Sequence, residues 1–194
     1  MARKGLSSEQ IIQAAVALIE QGGYDRFSIR ELAQRLGVQP SSLYNHIAGI
    51  DEVSVAVGIE AAVRMNQLLS EKVAQLPPEA AFLAAARAYR AFALENPELY
   101  KALMRMPAAQ NEALTRASMM GIAPLRQLIQ QVLPEGPERL HFTRAVRAAL
   151  HGYVSLEQAG FLHLGEISPE ESFDAMIQGF VGALRARASA RTAE

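Results

Sequence analysis

The stretch from Phe27 to Val53 reads FSIRELAQRLGVQPSSLYNHIAGIDEV, two short amphipathic segments around a glycine. Ser28 stands where an N-cap is needed, and Glu31 follows three residues later, a pairing that can satisfy two orphan backbone N–H groups reciprocally. Ile29, Leu32, Ala33 and Leu36 then recur at i, i+3, i+4 and i+7 and line one buried face, while Arg30, Glu31, Gln34 and Arg35 project elsewhere. Gly37 comes next, a residue that can turn the chain through positive φ at little steric cost. A second helix starts near Pro40, whose fixed φ suits a first helical turn. Its Leu43 and Ile47 share one side with Tyr44 flanking them, and Ser41, Ser42, Asn45 and His46 spread over the other. That polar face is small, neutral and rich in hydrogen-bonding groups, as needed to meet base edges in a major groove about 12 Å wide. Caps and a glycine corner also occur in a plain helical hairpin, and composition alone leaves both readings open.

The order of these elements resembles the TetR family of bacterial transcription regulators. Leu32-Ala33, Gly37-Val38, Leu43-Tyr44, His46, Asp51 and Val53 fall in the order of that family's N-terminal signature. The resemblance implies double-stranded DNA as a partner, with contacts from Arg30, Ser41, Ser42, Tyr44, Asn45 and His46, and with Gln39 and Pro40 as second choices. Arg30 would reach a base or phosphate, Ser42 and Asn45 would read base edges, and Tyr44 and His46 would hold phosphates. The chain departs from the family pattern at Ile47, where an aromatic residue is common, and at Ile50, where a Lys is common. Ile47 serves packing equally well. Ile50 cannot neutralise a phosphate, so binding is expected to be weaker or less dependent on salt.

A net charge of −1 does not announce a polyanion partner, and residues 1–50 hold five Lys and Arg against four Asp and Glu. Hydroxyls, backbone N–H groups and helix N-termini also hold phosphates, so the weak charge does not exclude DNA. Arg3 and Lys4 form a short basic arm that could touch the duplex, though a solvated terminus is the default. The absence of cysteine excludes disulfides, thiolate metal sites and a cysteine nucleophile. No apolar run reaches the ~18 residues of a membrane span, and the start MARKGLSSEQ lacks a signal-peptide core. A soluble, cytoplasmic protein with no membrane partner is expected.

The remainder reads as helix after helix, about nine in all by their periodicity, without strand-like alternation, so the fold class is all-α. A first helix over 7–21 completes a three-helix helix-turn-helix domain over 1–50. An α-helical effector-binding and dimerisation bundle fills 51–194. Its helices are placed from Asp51 to about Leu76, and over 79–95, 97–105, 110–132, 138–163 and 169–189, with Pro97, Pro107 and Pro124 marking ends or a kink. Ser168 and Pro169 open the last helix as N-cap and first-turn residue.

Phe173, Met176, Ile177, Phe180, Val181 and Leu184 form a continuous stripe on that last helix, and Ala175, Gly179, Gly182 and Ala186 line another side. Small residues permit close helix approach, which suits the family's dimer interface. Phe173, Ile177, Gly179, Phe180, Gly182 and Leu184 are accordingly assigned to a homodimer contact, the alternative being that Gly and Ala are simply tolerated on an intramolecular surface. Leu150-His151-Gly152 also resembles the Trp-His-Gly motif of one TetR subgroup, with Leu150 in place of Trp. Family members carry a small-molecule pocket, for which Met65, Leu69, Tyr89, Phe92, Leu103, Met104 and Met120 are apolar candidates, alongside Phe82, Tyr100 and Met119. His151 and Glu157 are the polar candidates, since a buried charge needs a partner or a ligand. Most of these residues would serve core packing in any case.

Catalysis has no visible device. The four His, at 46, 141, 151 and 163, form neither HExxH nor the paired Glu-x-x-His of di-iron bundles, and the Gly-rich phosphate motifs and G-x-S-x-G are missing. No metal or cofactor is expected and no enzyme activity. The reading is a DNA-binding regulator, a repressor in the family's usual mode, that holds a palindromic operator as a homodimer and is released by a small apolar effector. The alternative is a helical carrier or sensor of an apolar ligand that has lost DNA binding, a reading that Ile50 and the weak charge favour.

Overall fold

Proline, glycine and serine punctuate the computed structural model, which describes residues 6–107, 112–162 and 165–192. Among them are ten α-helices and no strand. The helices are α1 (Ser8–Gly22), α2 (Ile29–Leu36), α3 (Pro40–Leu43), α4 (Ile50–Val73), α5 (Pro78–Glu95), α6 (Pro97–Met104), α7 (Glu112–Met120), α8 (Ala123–Val132), α9 (Pro137–Gln158) and α10 (Pro169–Thr192). Arg3, Lys4 and His163 lie outside the described residues.

Local chemistry sets the helix ends. Ser7 and Gln10 form a complete capping box on α1, and Ser168 with Glu171 does the same for α10. Ser28 caps α2 by accepting the Glu31 N–H at 3.3 Å. Glu31, expected to return to the Ser28 backbone, instead accepts the Ser28 hydroxyl proton at 2.9 Å. Gly37 closes α2 at φ +66°, with the Val38 N–H donating to the Ala33 carbonyl and the Gly37 N–H to the Gln34 carbonyl. That is a Schellman ending, and Gly160 repeats it after α9, with bonds from Phe161 to Leu156 and from Gly160 to Glu157.

Two helix placements change. The single helix expected over 110–132 is two, because Pro124 has no N–H to donate and its ring crowds the preceding turn. It therefore opens α8 instead of kinking a longer helix, which gives ten helices instead of about nine. The helix expected to reach 163 stops at Gln158, where Gly160 takes φ +79°.

The chain forms two compact units. The first joins the residues up to Arg64 with Asn96–Gly121, and the second joins Met65–Glu95 with the residues from Ile122 onward. In the first, Ile11, Ala15, Val16 and Ile19 of α1 meet Leu32 and Ala33 of α2, Leu43 of α3 and Val53 and Val57 of α4 in one buried core. α6 lies against α1. Gly58 marks a close crossing within this unit: a Cβ there would sit 2.8 Å from Met106 Cγ and 3.0 Å from the Ala102 carbonyl oxygen. In the second, α5 packs on α8, α9 and α10. Its core includes Met65, Leu69, Phe82, Tyr89, Phe92, Leu125, Ile129, Phe142, Leu150, Phe173 and Ile177.

Gly58→Ala should destabilise the fold by roughly 1–3 kcal/mol through overpacking, because a backbone carbonyl cannot rotate away as a side chain can. Gly22→Ala, with nothing within 4 Å, is the control. Urea midpoints compare the two, and equal midpoints would show that α4 and its neighbour part freely.

Candidate nucleic-acid interface

The second half of the helix-turn-helix is too short to hold itself. α3 spans only Pro40–Leu43, and the chain continues as turns through His46. Two backbone bonds, from His46 and Ile47 to the Leu43 carbonyl at 2.8 and 3.0 Å, keep it coiled. Leu43 is wholly buried and Ile47 is 7% exposed, so the segment is fastened to the first unit's core by two side chains one turn apart. The three residues between them face out, Tyr44 at 58% exposure with Asn45 and His46 also exposed, and before Leu43 the residues Gln39, Pro40 and Ser41 are exposed and Ser42 is half-buried. Tyr44 thus places an aromatic ring, more than half of it in solvent, on an otherwise polar strip. Arg30 is exposed in the first turn of α2. Among the described residues neither Arg30 nor His46 takes part in an ion pair. Ile50 is half-buried as the first residue of α4, followed by exposed Asp51 and Glu52.

The sequence reading missed a second feature of this unit. The 3₁₀ turn Tyr24–Arg26 joins α1 to α2 and is gripped by α6. Glu98 Oε2 accepts the Tyr24 N–H at 2.6 Å, Lys101 Nζ lies 2.5 Å from Asp25, and Arg105 pairs with the same carboxylate while its guanidinium sits 5.5 Å from the Tyr24 ring centroid. Lys101 and Arg105, by hydrogen bonding first, hold the Asp25 carboxyl below its ordinary value of 3.8. The i, i+3, i+7 spacing of Glu98, Lys101 and Arg105 along one face of α6 was the available signal. Arg64 adds a link between helices by contacting Glu20 of α1 and Glu60 of α4, each at 3.0 Å.

The residues assigned to the effector and to the dimer divide differently. Met65, Leu69, Tyr89 and Phe92 lie in the core of the second unit and Leu103 in that of the first. Met104 and Met120 are half-buried in the first. Glu157, 8% exposed, already has its counter-charge: Arg90 donates to both carboxylate oxygens at 2.8 and 2.5 Å and also lies over the Phe173 ring. His151 is exposed, yet partial desolvation, and then Arg147, hold its imidazole below the ordinary 6.5. A cavity of about 340 Å³ in the second unit is lined by other residues, Phe82 alone being shared with the wider set anticipated. On α10, Phe173, Ile177 and Leu184 point into the subunit's own core. Gly179 and Gly182 face outward, and Phe180 is half-buried, edge-on to Phe142 at 5.7 Å. Leu150, in the motif's Trp position, is fully buried.

Comparison with known proteins covers both parts of the chain. Residues 11–57 match the model of "Bacterial regulatory proteins, tetR family", and residues 82–180 match "Tetracyclin repressor-like, C-terminal domain". The chain is 30% identical to the uncharacterized HTH-type transcriptional regulator Rv0681 of Mycobacterium tuberculosis over 158 residues, 81% of this chain and 72% of that one. It is 29% identical to the uncharacterized HTH-type transcriptional regulator YobS of Bacillus subtilis over 155 residues, 79% and 80% of the two chains. A solved structure of a protein of unknown function from Rhodococcus sp. RHA1 superposes with a TM-score of 0.76 at 20% identity, covering 93% of this chain and 96% of that one, a likeness of fold.

Because folding depresses the Asp25 carboxyl, the stability this group contributes is present above its ordinary value of 3.8 and lost as pH falls through the lower folded value. Asp25→Asn should therefore lower the unfolding midpoint at neutral pH, with the difference from the parent chain shrinking as pH falls below that range. A difference that grows in acid would reverse the assignment.

Proposed function

The chain belongs to the tetR family of bacterial regulatory proteins, and from that premise we propose that it is a repressor that occupies a roughly palindromic operator as a homodimer and leaves it when a small apolar molecule binds. Residues 1–50 read DNA in this reading, and residues 51–194 bind the effector and the second subunit. The protein acts on DNA in the cytoplasm and carries out no catalysis. The observation that carries the reading is the exposed strip from Gln39 to His46, Tyr44 included, held outward by buried Leu43 and Ile47. Phosphate contacts fix register while base edges supply specificity. Tyr44 and His46 take the first role, Ser42 and Asn45 the second, with Ser41, Gln39 and Pro40 at the rim of the contact and Arg30 reaching from α2.

A dimer is supported by outward small residues on both last helices. Ala175, Gly179, Gly182 and Ala186 of α10 are exposed, as are Ala145 and Ala148 of α9 and Ala159 at its C-cap, and Leu140 and Leu156 of α9 also stand 48% and 47% exposed. Such faces allow close approach and leave apolar surface to bury. A two-fold dimer would present its reading segments about 34–36 Å apart, one turn of the duplex. The finer kinship to the Trp-His-Gly subgroup is supported by His151 and Gly152 only.

Selection of bound duplexes from a random pool, at two salt concentrations, tests the regulator against an apolar-ligand carrier: a recovered palindrome is expected, and no enrichment by a folded dimer would sink the reading. On that operator Asn45→Ala should cost roughly 1–3 kcal/mol and relax preference at one position per half-site, whereas Tyr44→Phe should weaken all sequences about equally.

Gly179→Leu checks the dimer face. Its Cβ meets nothing within 4 Å in the subunit, so the fold should survive while sedimentation shows a weakened dimer. An unchanged dimer would move the interface elsewhere.

A further inference from the structure

The opening of α5, α8 and the last turns of α10 line the half-open cavity of about 340 Å³ in the second unit. Pro78, Phe82, Leu128, Val132, Val181 and Leu184 supply apolar walls, and Glu79 and Arg185 supply the charge. The volume lies at the small end of the ~300–1,000 Å³ typical of small-molecule pockets. Apolar walls with a single charged feature describe a site for an amphipathic molecule.

The geometry of that charged feature selects the sign. Arg185 Nε donates to Glu79 Oε1 at 2.6 Å, and a second guanidinium N–H meets the other carboxylate oxygen, a bidentate fork. Both side chains are at least half exposed, 64% for Arg185 and 50% for Glu79. A solvated pair of this kind is held weakly. An incoming carboxylate can replace that of Glu79 on the same two donors, and Glu79, already half in water, can swing out without being stranded. An ammonium would meet Glu79 as a point charge, without the two parallel bonds that the guanidinium fork offers a carboxylate, and an uncharged molecule would fill the walls without gaining anything at the rim.

We propose that this cavity is the effector site and takes a monocarboxylate with an apolar tail of medium length, Arg185 holding the carboxylate and Glu79 acting as its built-in competitor. The proposal rests on the reading of the chain as a ligand-released regulator.

Calorimetric titration of the full-length protein with decanoate, decanol and decyltrimethylammonium tests it. Decanoate should bind a few-fold more tightly than decanol, because a carboxylate anchored by its buried tail takes over a fork that the exposed Glu79 side chain holds only weakly. Arg185→Gln should remove that advantage, and Glu79→Gln should tighten decanoate binding. Leu128→Trp should block it by filling the cavity, with an unchanged circular dichroism spectrum. Preference for the ammonium, absence of decanoate binding, decanoate binding indifferent to Arg185→Gln, or weaker binding by Glu79→Gln would overturn the proposal. The duplex selection is run separately, on unliganded protein. An enriched operator without decanoate binding removes this ligand class and leaves the regulator, whereas Arg185-dependent decanoate binding without an enriched operator removes the regulator and leaves the cavity as a carboxylate site.

Discussion

The burial of Leu43 and Ile47 is the constraint from which the rest of the exposed strip Gln39–His46 follows. A four-residue helix such as α3 cannot persist alone, because helix nucleation fixes several dihedrals for each early hydrogen bond. Its shape is therefore lent by the core of α1, α2 and the start of α4. With the two anchors fixed, Tyr44, Asn45 and His46 have no direction left but outward. The Schellman turn at Gly37 sets where this segment begins, so one glycine and two apolar side chains determine the pose of the polar strip.

Around that core, charge acts through placement more than through strength. The contacts of Asp25 with Lys101 and Arg105, the bond from Tyr24 to Glu98, and Arg64 between Glu20 and Glu60 are partly or largely exposed. Each is weak taken singly, yet the Asp25 and Tyr24 contacts bind the 3₁₀ turn to α6 and the residue just beyond it, Arg64 ties α4 to α1, and the close crossing at Gly58 sets α4 against Ala102 and Met106. Any motion of α6 must then either carry the turn with it or break several bonds at once. That makes the first unit larger than the helix-turn-helix domain that its N-terminal motif delimits.

Periodicity and punctuation in the sequence made most of the helices legible. The cap at Ser28, the corner at Gly37, the opening at Pro40 and the start of α10 at Ser168-Pro169 are all local devices, and local devices can be read in one dimension. Tertiary relations could not. The stripe Phe173, Ile177, Leu184 is apolar at helical spacing whether it meets its own bundle or a second subunit, and only the fold shows that it turns inward while Gly179 and Gly182 turn outward. Glu157 looked like a charge awaiting a ligand because its partner, Arg90, is 67 residues away along the chain. The split between α7 and α8 depended on what the chain does just before a proline, a choice between kink and restart that spacing leaves undecided.

The weakness of the charge has a consequence for how such a head would discriminate. Non-specific affinity for duplex DNA comes almost wholly from phosphate neutralisation. With Ile50 unable to donate, Asp51 and Glu52 exposed beside it, and Lys101 and Arg105 already paired with Asp25, that term is small. Specific binding draws in addition on hydroxyl, amide and phenol groups whose hydrogen bonds depend on geometry more than on field. A head of this composition gives up general affinity and keeps more of its discrimination, since competition from bulk DNA falls with the same phosphate term. A second copy then matters more than it would for a basic head, because two linked half-sites recover by effective concentration the affinity that the missing cation withholds.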